Sequence, residues 1–214
     1  MKKTRKIVYT LAALLFTAQA TAIQISSSGD SWTVDWFVDA SISGTEDLSA
    51  TSDWLVSSYS STEIILDVTI TNTTTLTGSL TNADITSFGF GVDPDATATL
   101  LSAGSTFNSV DTGSGPNQTY PGGFSGIDVC VFVQNCSGGT VNDGLHAGDS
   151  DSLQLLLTGS FGDITEFLFF PLKFQTNNGS YEPGGNVPEP SILALLGIGL
   201  ALIGFTHLRR NRHA

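Results

Sequence analysis

Short apolar runs, each bounded by turn residues, limit most strongly what this chain can fold into. Between Glu63 and Thr71 (EIILDVTIT), apolar and polar residues alternate from Leu66 onward. A period of two is typical of a half-buried strand. Runs rich in aromatic and β-branched residues are expected as further strands at 32–38, 53–59, 85–92, 127–133, 153–158 and 167–175. Clusters of Gly, Ser, Asn, Asp and Thr separate these runs and are typical of turns.

The strand pattern predicts an all-β fold, an antiparallel β-sandwich or jelly-roll-like ectodomain. Trp32 and Trp36 share strand parity with Val34, so we expect both indole rings to face the core. Pro171 cannot donate a ladder hydrogen bond, and it is expected at an edge or a bulge.

Both ends of the chain carry apolar segments with basic flanks. Residues 1–22 combine a basic start, a short apolar run and an A-x-A sequence that ends at Ala22. They predict a signal peptide for Sec export and removal by signal peptidase. The 18 residues Ser191–Leu208 would form about 27 Å of helix, close to one bilayer core. We therefore expect one transmembrane helix at 191–208, with the basic tail 209–214 in the cytoplasm and the ectodomain outside.

Between these ends we expect an ectodomain at 23–181 and a linker at 182–186 that is rich in Pro and Gly. Residues 23–186 hold 19 of the 20 acidic residues and one of the eight Lys and Arg, Lys173. Such a surface repels nucleic acid and anionic lipid, and nucleic acid is not an expected partner. It attracts Ca²⁺. The simpler interpretation, that the charge keeps an exported protein in solution, stays open.

Two features of the ectodomain suggest further sites. Cys130 and Cys136 are an even pair in an exported chain, and they predict one disulfide that closes a short loop. Alternating carboxylates in turns are a ligand pattern for Ca²⁺. They occur at Asp93 and Asp95 and again at Asp149 and Asp151. Asx-rich turns also bond their own backbone. No cofactor other than Ca²⁺ is expected.

We expect no enzymatic activity. A catalytic triad in the ectodomain would have to use His146, its single histidine, and no G-x-S-x-G sequence is present. A glycosidase needs only two carboxylates, and this remains a distant alternative. Aromatic residues that could stack on sugar rings are Trp32, Trp36, Trp54, Tyr59, Tyr120 and Tyr181. A carbohydrate-binding or Ca²⁺-binding sandwich module is therefore an alternative function.

The C-terminal 28 residues resemble a known sorting signal. Val187, Pro188, Glu189 and Pro190 form a stiff, extended motif before the apolar span, and Arg209, Arg210 and Arg212 follow it. This order resembles the PEP-CTERM sorting signal, which implies export by a Gram-negative bacterium and processing by exosortase. The resemblance implies an inner-membrane-anchored precursor and then a cell-surface or extracellular protein, with exopolysaccharide as a further partner. We expect a structural or adhesive role at the surface or in an extracellular matrix, as in a biofilm.

Overall fold

The computed structural model describes residues 22–39, 47–112 and 120–187, and these ranges are all-β. The helical element within them is one 3₁₀ turn at Pro121–Gly123. Strands are β1 (Ile23–Ile25), β2 (Ser31–Val38), β3 (Leu48–Tyr59), β4 (Glu63–Asn72), β5 (Ala83–Asp93), β6 (Ala96–Ser102), β7 (Ser109–Thr112), β8 (Val129–Phe132), β9 (Ser150–Gly159), β10 (Thr165–Leu168), β11 (Leu172–Thr176) and β12 (Ser180–Tyr181). The all-β prediction is confirmed.

The signal peptide, the transmembrane helix at 191–208 and the basic tail lie outside the described residues. Within the ranges that the structure describes, no helix is long and apolar enough to cross a membrane.

One sheet has five antiparallel strands in the order β2-β3-β4-β9-β6. Strand β4 illustrates why it forms. Ile64, Leu66, Val68 and Ile70 are at most 1% exposed, whereas the residues between them face outward and are half-buried. The period of two therefore places one apolar face toward the core and one polar face toward solvent.

The second sheet is built around β5. Strands β10 and β11 pair with successive parts of β5, and β8 pairs with its opposite edge. The segment predicted as one strand at 167–175 is interrupted between β10 and β11, where Phe169 and Phe170 have φ angles of 72° and 45°. Pro171 lies in this break, at a position where its missing N–H costs no ladder hydrogen bond.

The two sheets pack face to face on aromatic side chains. Trp54 of β3 makes edge contacts with Phe88, Phe90 and Phe170 at ring-centroid distances of 6.1, 5.2 and 5.7 Å. Trp36 is 2% exposed and its Nε1 donates to the Phe170 carbonyl oxygen at 2.7 Å. Burial of each such ring contributes about 1.5–3 kcal/mol. This is an antiparallel β-sandwich, and Trp36 faces the core as its parity predicts.

Candidate functional site

The predicted disulfide is present in the structure. Cys130 of β8 and Cys136 are bonded, with their Cα atoms 6.0 Å apart. The loop they close lies beside Tyr120, whose hydroxyl is 2.8 Å from the Ser87 hydroxyl. Ser87 Oγ in turn donates to the Cys136 carbonyl oxygen at 3.2 Å. Burial raises the pKa of Tyr120 far above its usual range. The phenol is therefore a neutral donor that fixes the disulfide loop on β5.

One residue of the second acidic pair has a structural role. The Asp151 carboxylate accepts from the backbone N–H groups of Ser105, Thr106 and Phe107 at 2.7, 3.0 and 2.8 Å, and from the Ser105 hydroxyl at 3.0 Å. Burial raises its pKa, but these hydrogen bonds outweigh burial and hold the pKa below its ordinary value. Asp149, two residues earlier, is exposed. Asp151 thus holds the 105–107 loop, and both of its oxygens are occupied.

The first acidic pair lies beside a third carboxyl group. Asp93 and Asp95 are exposed on either side of Pro94, and Asp128 Oδ2 accepts from the Val92 N–H at 2.6 Å. Burial, aided by the charges of Asp95 and Asp93, raises the pKa of Asp128. The part of the chain that the structure describes holds no group of three or more His, Cys, Asp or Glu that could bind a metal ion. Calcium binding stays a prediction.

His146 is paired with a residue that sequence reasoning missed. Its Nδ1 is 3.0 Å from Oδ1 of Asp84, which is fully buried on β5, while the imidazole is 55% exposed. Hydrogen bonding to Asp84, together with the charge of that carboxylate, raises the pKa of His146. Asp84 Oδ2 accepts from the Asn142 N–H at 2.9 Å. Among the described residues no nucleophile is hydrogen-bonded to the ring, so this pair ties the 142–146 loop to the sheet.

The outer face of the five-stranded sheet carries hydroxyl and carboxylate groups in register. Thr69 and Ser152 are bonded across β4 and β9 at 2.9 Å, and Thr71 and Ser150 at 2.8 Å. A shallow groove of about 540 Å³ crosses β2, β3 and β4 and is lined by Ser31, Trp32, Thr33, Asp53, Trp54, Leu55, Asp67 and Thr69. A second hollow of about 280 Å³ shares Asp67 and Thr69 and continues to β9.

Two carboxylates line this groove. Asp53 accepts from the Thr33 hydroxyl at 2.9 Å, and Asp67 accepts from Gln154 Nε2 at 2.7 Å. Each bond uses one carboxylate oxygen, and no described residue is hydrogen-bonded to the other oxygen of either carboxylate. The groove can therefore accept hydrogen bonds or a positive charge from an extended ligand.

The aromatic residues that could stack on sugars are mostly in the core, where the sequence analysis expects Trp32 and Trp36. Trp36, Trp54 and Tyr120 are at most 2% exposed. Trp32, Tyr59 and Tyr181 are half-buried, and Trp32 stacks on Trp54 at 5.5 Å. In the described ranges the exposed aromatics are instead Phe37 at 54% and Phe169 at 47%. Sequence reasoning missed both because each lies in a run whose neighbours are core residues.

Residues 182–187, which the sequence analysis assigns to a linker and to the first motif residue, are bound to the sandwich. We call the segment Glu182–Val187 the C-terminal latch. Asn186 exchanges both backbone hydrogen bonds with Asp35 of β2, at 2.7 and 2.9 Å. The Gly185 N–H donates to the Phe170 carbonyl oxygen at 2.8 Å. The latch therefore bonds to an edge strand of one sheet and to the β10–β11 break of the other.

Side chains also hold the latch in place. Glu182 pairs with Lys173, whose side chain is 8% exposed. A Cβ atom at Gly185 would lie 2.4 Å from Val34 Cγ1, so only glycine permits this close approach. Val187 is half-buried against the core. The sequence analysis assigns 182–186 to a linker, and in the structure these residues are hydrogen-bonded to the sandwich. Pro and Gly, typical of linkers, here give the stiffness and close approach that the latch requires.

These features define an acidic, disulfide-bonded β-sandwich whose last bonded segment leads directly into the C-terminal apolar segment. Residues 186–210 match the family model described as the PEP-CTERM protein-sorting motif. The chain therefore carries a PEP-CTERM sorting motif, and the motif indicates secretion and exosortase processing in a Gram-negative bacterium. The match covers Val187, Pro188, Glu189, Pro190, Arg209 and Arg210 and stops before Arg212. No curated protein and no solved structure matches the chain.

Proposed function

We propose that this protein is a structural or adhesive component of the cell surface or extracellular matrix, associated with exopolysaccharide. The observation that carries the proposal is the sorting motif at 186–210, placed directly after a folded sandwich. The disulfide and the 19 acidic residues against one Lys in residues 23–186 are consistent with work outside the cell. The protein is proposed to act without catalysis.

The proposed route uses both ends of the chain. The Sec machinery exports the chain, and signal peptidase removes residues 1–22. The span at 191–208 then holds the precursor in the inner membrane until exosortase acts near residues 187–190. The basic flanks at each end are expected to remain cytoplasmic, so the sandwich and residues 187–190 would lie outside the cytoplasm.

The test is the intact mass of the protein in membrane and medium fractions of its native host. We expect a released form that lacks residues 1–22 and the segment from about Pro188 onward. Glycan or an attached acceptor would appear as added mass. A variant with Pro188→Ala, Glu189→Ala and Pro190→Ala is the control and should remain full-length at its C-terminus. A wild-type protein that keeps residue 214 and stays in the inner membrane would refute processing.

A second candidate function is glycan binding by the outer face of the five-stranded sheet. The groove lined by Asp53 and Asp67 supports it, since two carboxylates without a neighbouring base favour a chain of amino sugars. Binding of a chito-oligosaccharide with free amines is the assay, with a neutral cello-oligosaccharide as the comparison. Replacing both residues by Asn should weaken binding at least about tenfold. Asp163→Asn, an exposed change outside the groove, should leave the affinity unchanged.

A further inference from the structure

The distance between the sandwich and the predicted membrane span is short. Asn186 is hydrogen-bonded to β2, and the predicted span begins at Ser191. Five residue steps reach at most about 17 Å when fully extended. An enzyme that is embedded in the membrane and binds residues 187–190 must therefore lie close to the edge of the folded domain.

The residues next to the motif are also not free to bind. Enzymes that process peptides bind an extended segment through its backbone N–H and C=O groups. In the latch, both backbone groups of Asn186 already bond Asp35, and the Gly185 N–H bonds Phe170. Val187, the first motif residue, packs against the core. An active site cannot enclose these residues while they hold these contacts.

We propose that the C-terminal latch detaches from the sandwich before the processing enzyme binds the motif, so that latch opening controls sorting. The inference rests on the proposed function, because it requires that exosortase processes the chain. Detachment of Glu182–Asn186 frees five residues and adds about 17 Å of reach. The partner is a membrane-embedded peptidase that binds the released segment as an extended strand.

The latch is suited to local opening. It is the last described segment, and its backbone bonds are made to the edge strand β2, to the irregular break at Phe170 and to Leu172, the first residue of β11. Segments of this kind open with a smaller free energy than central strands such as β4, which pairs on both sides. The apparent affinity of the enzyme then falls in proportion to the open fraction.

A cross-strand lock tests the proposal. Asp35 and Asn186 form a hydrogen-bonded antiparallel pair, in which Cα atoms lie about 5.5 Å apart, within the range that a disulfide spans. The full chain with Asp35→Cys and Asn186→Cys is expressed in a host that carries exosortase. We expect the oxidised double variant to be processed at least about tenfold more slowly than wild type, because its open fraction approaches zero.

Three controls separate locking from damage. Asp35→Cys alone and Asn186→Cys alone should be processed like wild type. Added reductant should restore the double variant, and wild type in the same reductant reports any effect of opening Cys130–Cys136. A flexible Gly-Ser insert of about six residues between Asn186 and Val187 should restore processing of the oxidised double variant, since it lengthens the free segment by about 20 Å.

Processing of the oxidised double variant at the wild-type rate would overturn the proposal. It would mean that the enzyme docks on the closed sandwich beside Asp35. If wild type itself is not processed, the proposed function fails, and a second measurement still decides on the latch. Hydrogen exchange of the full chain in detergent should be at least about tenfold faster at 182–187 than at β4. Equal exchange at the two segments would show that the latch does not open separately.

Discussion

Asp151 gives the sharpest test of how the fold is held together. Asp151→Asn keeps the size of the side chain but replaces a carboxylate with one acceptor oxygen and one NH₂ group. Four donors, from Ser105, Thr106 and Phe107, bond the carboxylate, so at least two lose their acceptor. A lost hydrogen bond to a buried acceptor costs about 1–1.5 kcal/mol. We therefore expect a loss of about 2–3 kcal/mol in the free energy of unfolding.

The assay is unfolding followed by tryptophan fluorescence. For a domain of this size, the expected loss lowers the melting temperature by about 5–10 °C. Asp149→Asn is the matched control, since the residue is exposed and the charge change is the same. The control should lie within about 0.5 kcal/mol of wild type. Equal stability of the two variants would refute the role of Asp151 in holding the loop.

The same variant predicts a pH dependence. The folded pKa of Asp151 lies below its ordinary value, so the charged form is favoured by folding. Its contribution is then fully present above about pH 4 and is lost as pH falls through the lowered pKa. The stability difference between wild type and Asp151→Asn should shrink as pH falls below about 4. A constant difference down to pH 2 would contradict this account.

Further predictions concern the latch, the disulfide, His146 and calcium. Gly185→Ala should cost about 1–3 kcal/mol through overpacking against Val34, whereas Gly162→Ala, which has room for a Cβ, should be neutral by urea unfolding. Cys130→Ser with Cys136→Ser should cost about 2 kcal/mol, and equal urea midpoints for wild type with and without reductant would contradict this. The raised pKa of His146 means that its stabilisation is present below about pH 6 and is lost as pH rises through the folded pKa, so wild type should lose stability relative to His146→Gln between about pH 6 and 8. Millimolar Ca²⁺ should raise the melting temperature above that in EDTA, and equal values would exclude calcium as a stabilising ion.

The strands were predictable where local pattern decides the structure. The alternation in β4 and the parity of Trp36 both correctly predict which side chains are buried. The pairing of His146 with Asp84 was not predictable, because the two residues are 62 positions apart in the chain and only the order of the strands brings them together. The role of Asp151 was missed for the same reason. Its partners come from a loop 44 to 46 residues earlier.

The contacts of the latch could not be predicted from the sequence for a different reason. A Pro-Gly-Gly-Asn segment has the composition of a linker, and nothing local distinguishes it from one. The distinction depends on Val34 and Phe170, which leave room beside the core for a residue without a side chain. Local composition reports which backbone conformations are permitted, and the tertiary environment decides whether a permitted segment is bound.

An exported protein meets the digestive enzymes of competing cells. Trypsin-like proteases cut after Lys or Arg, and between residues 23 and 208 this chain has Lys173 alone. Its side chain is 8% exposed, it pairs with Glu182, and its backbone lies in a strand bonded to β5. The other seven Lys and Arg lie before residue 7 or after residue 208. The folded sandwich therefore presents these proteases with no accessible bond, and we expect it to persist where basic proteins are degraded.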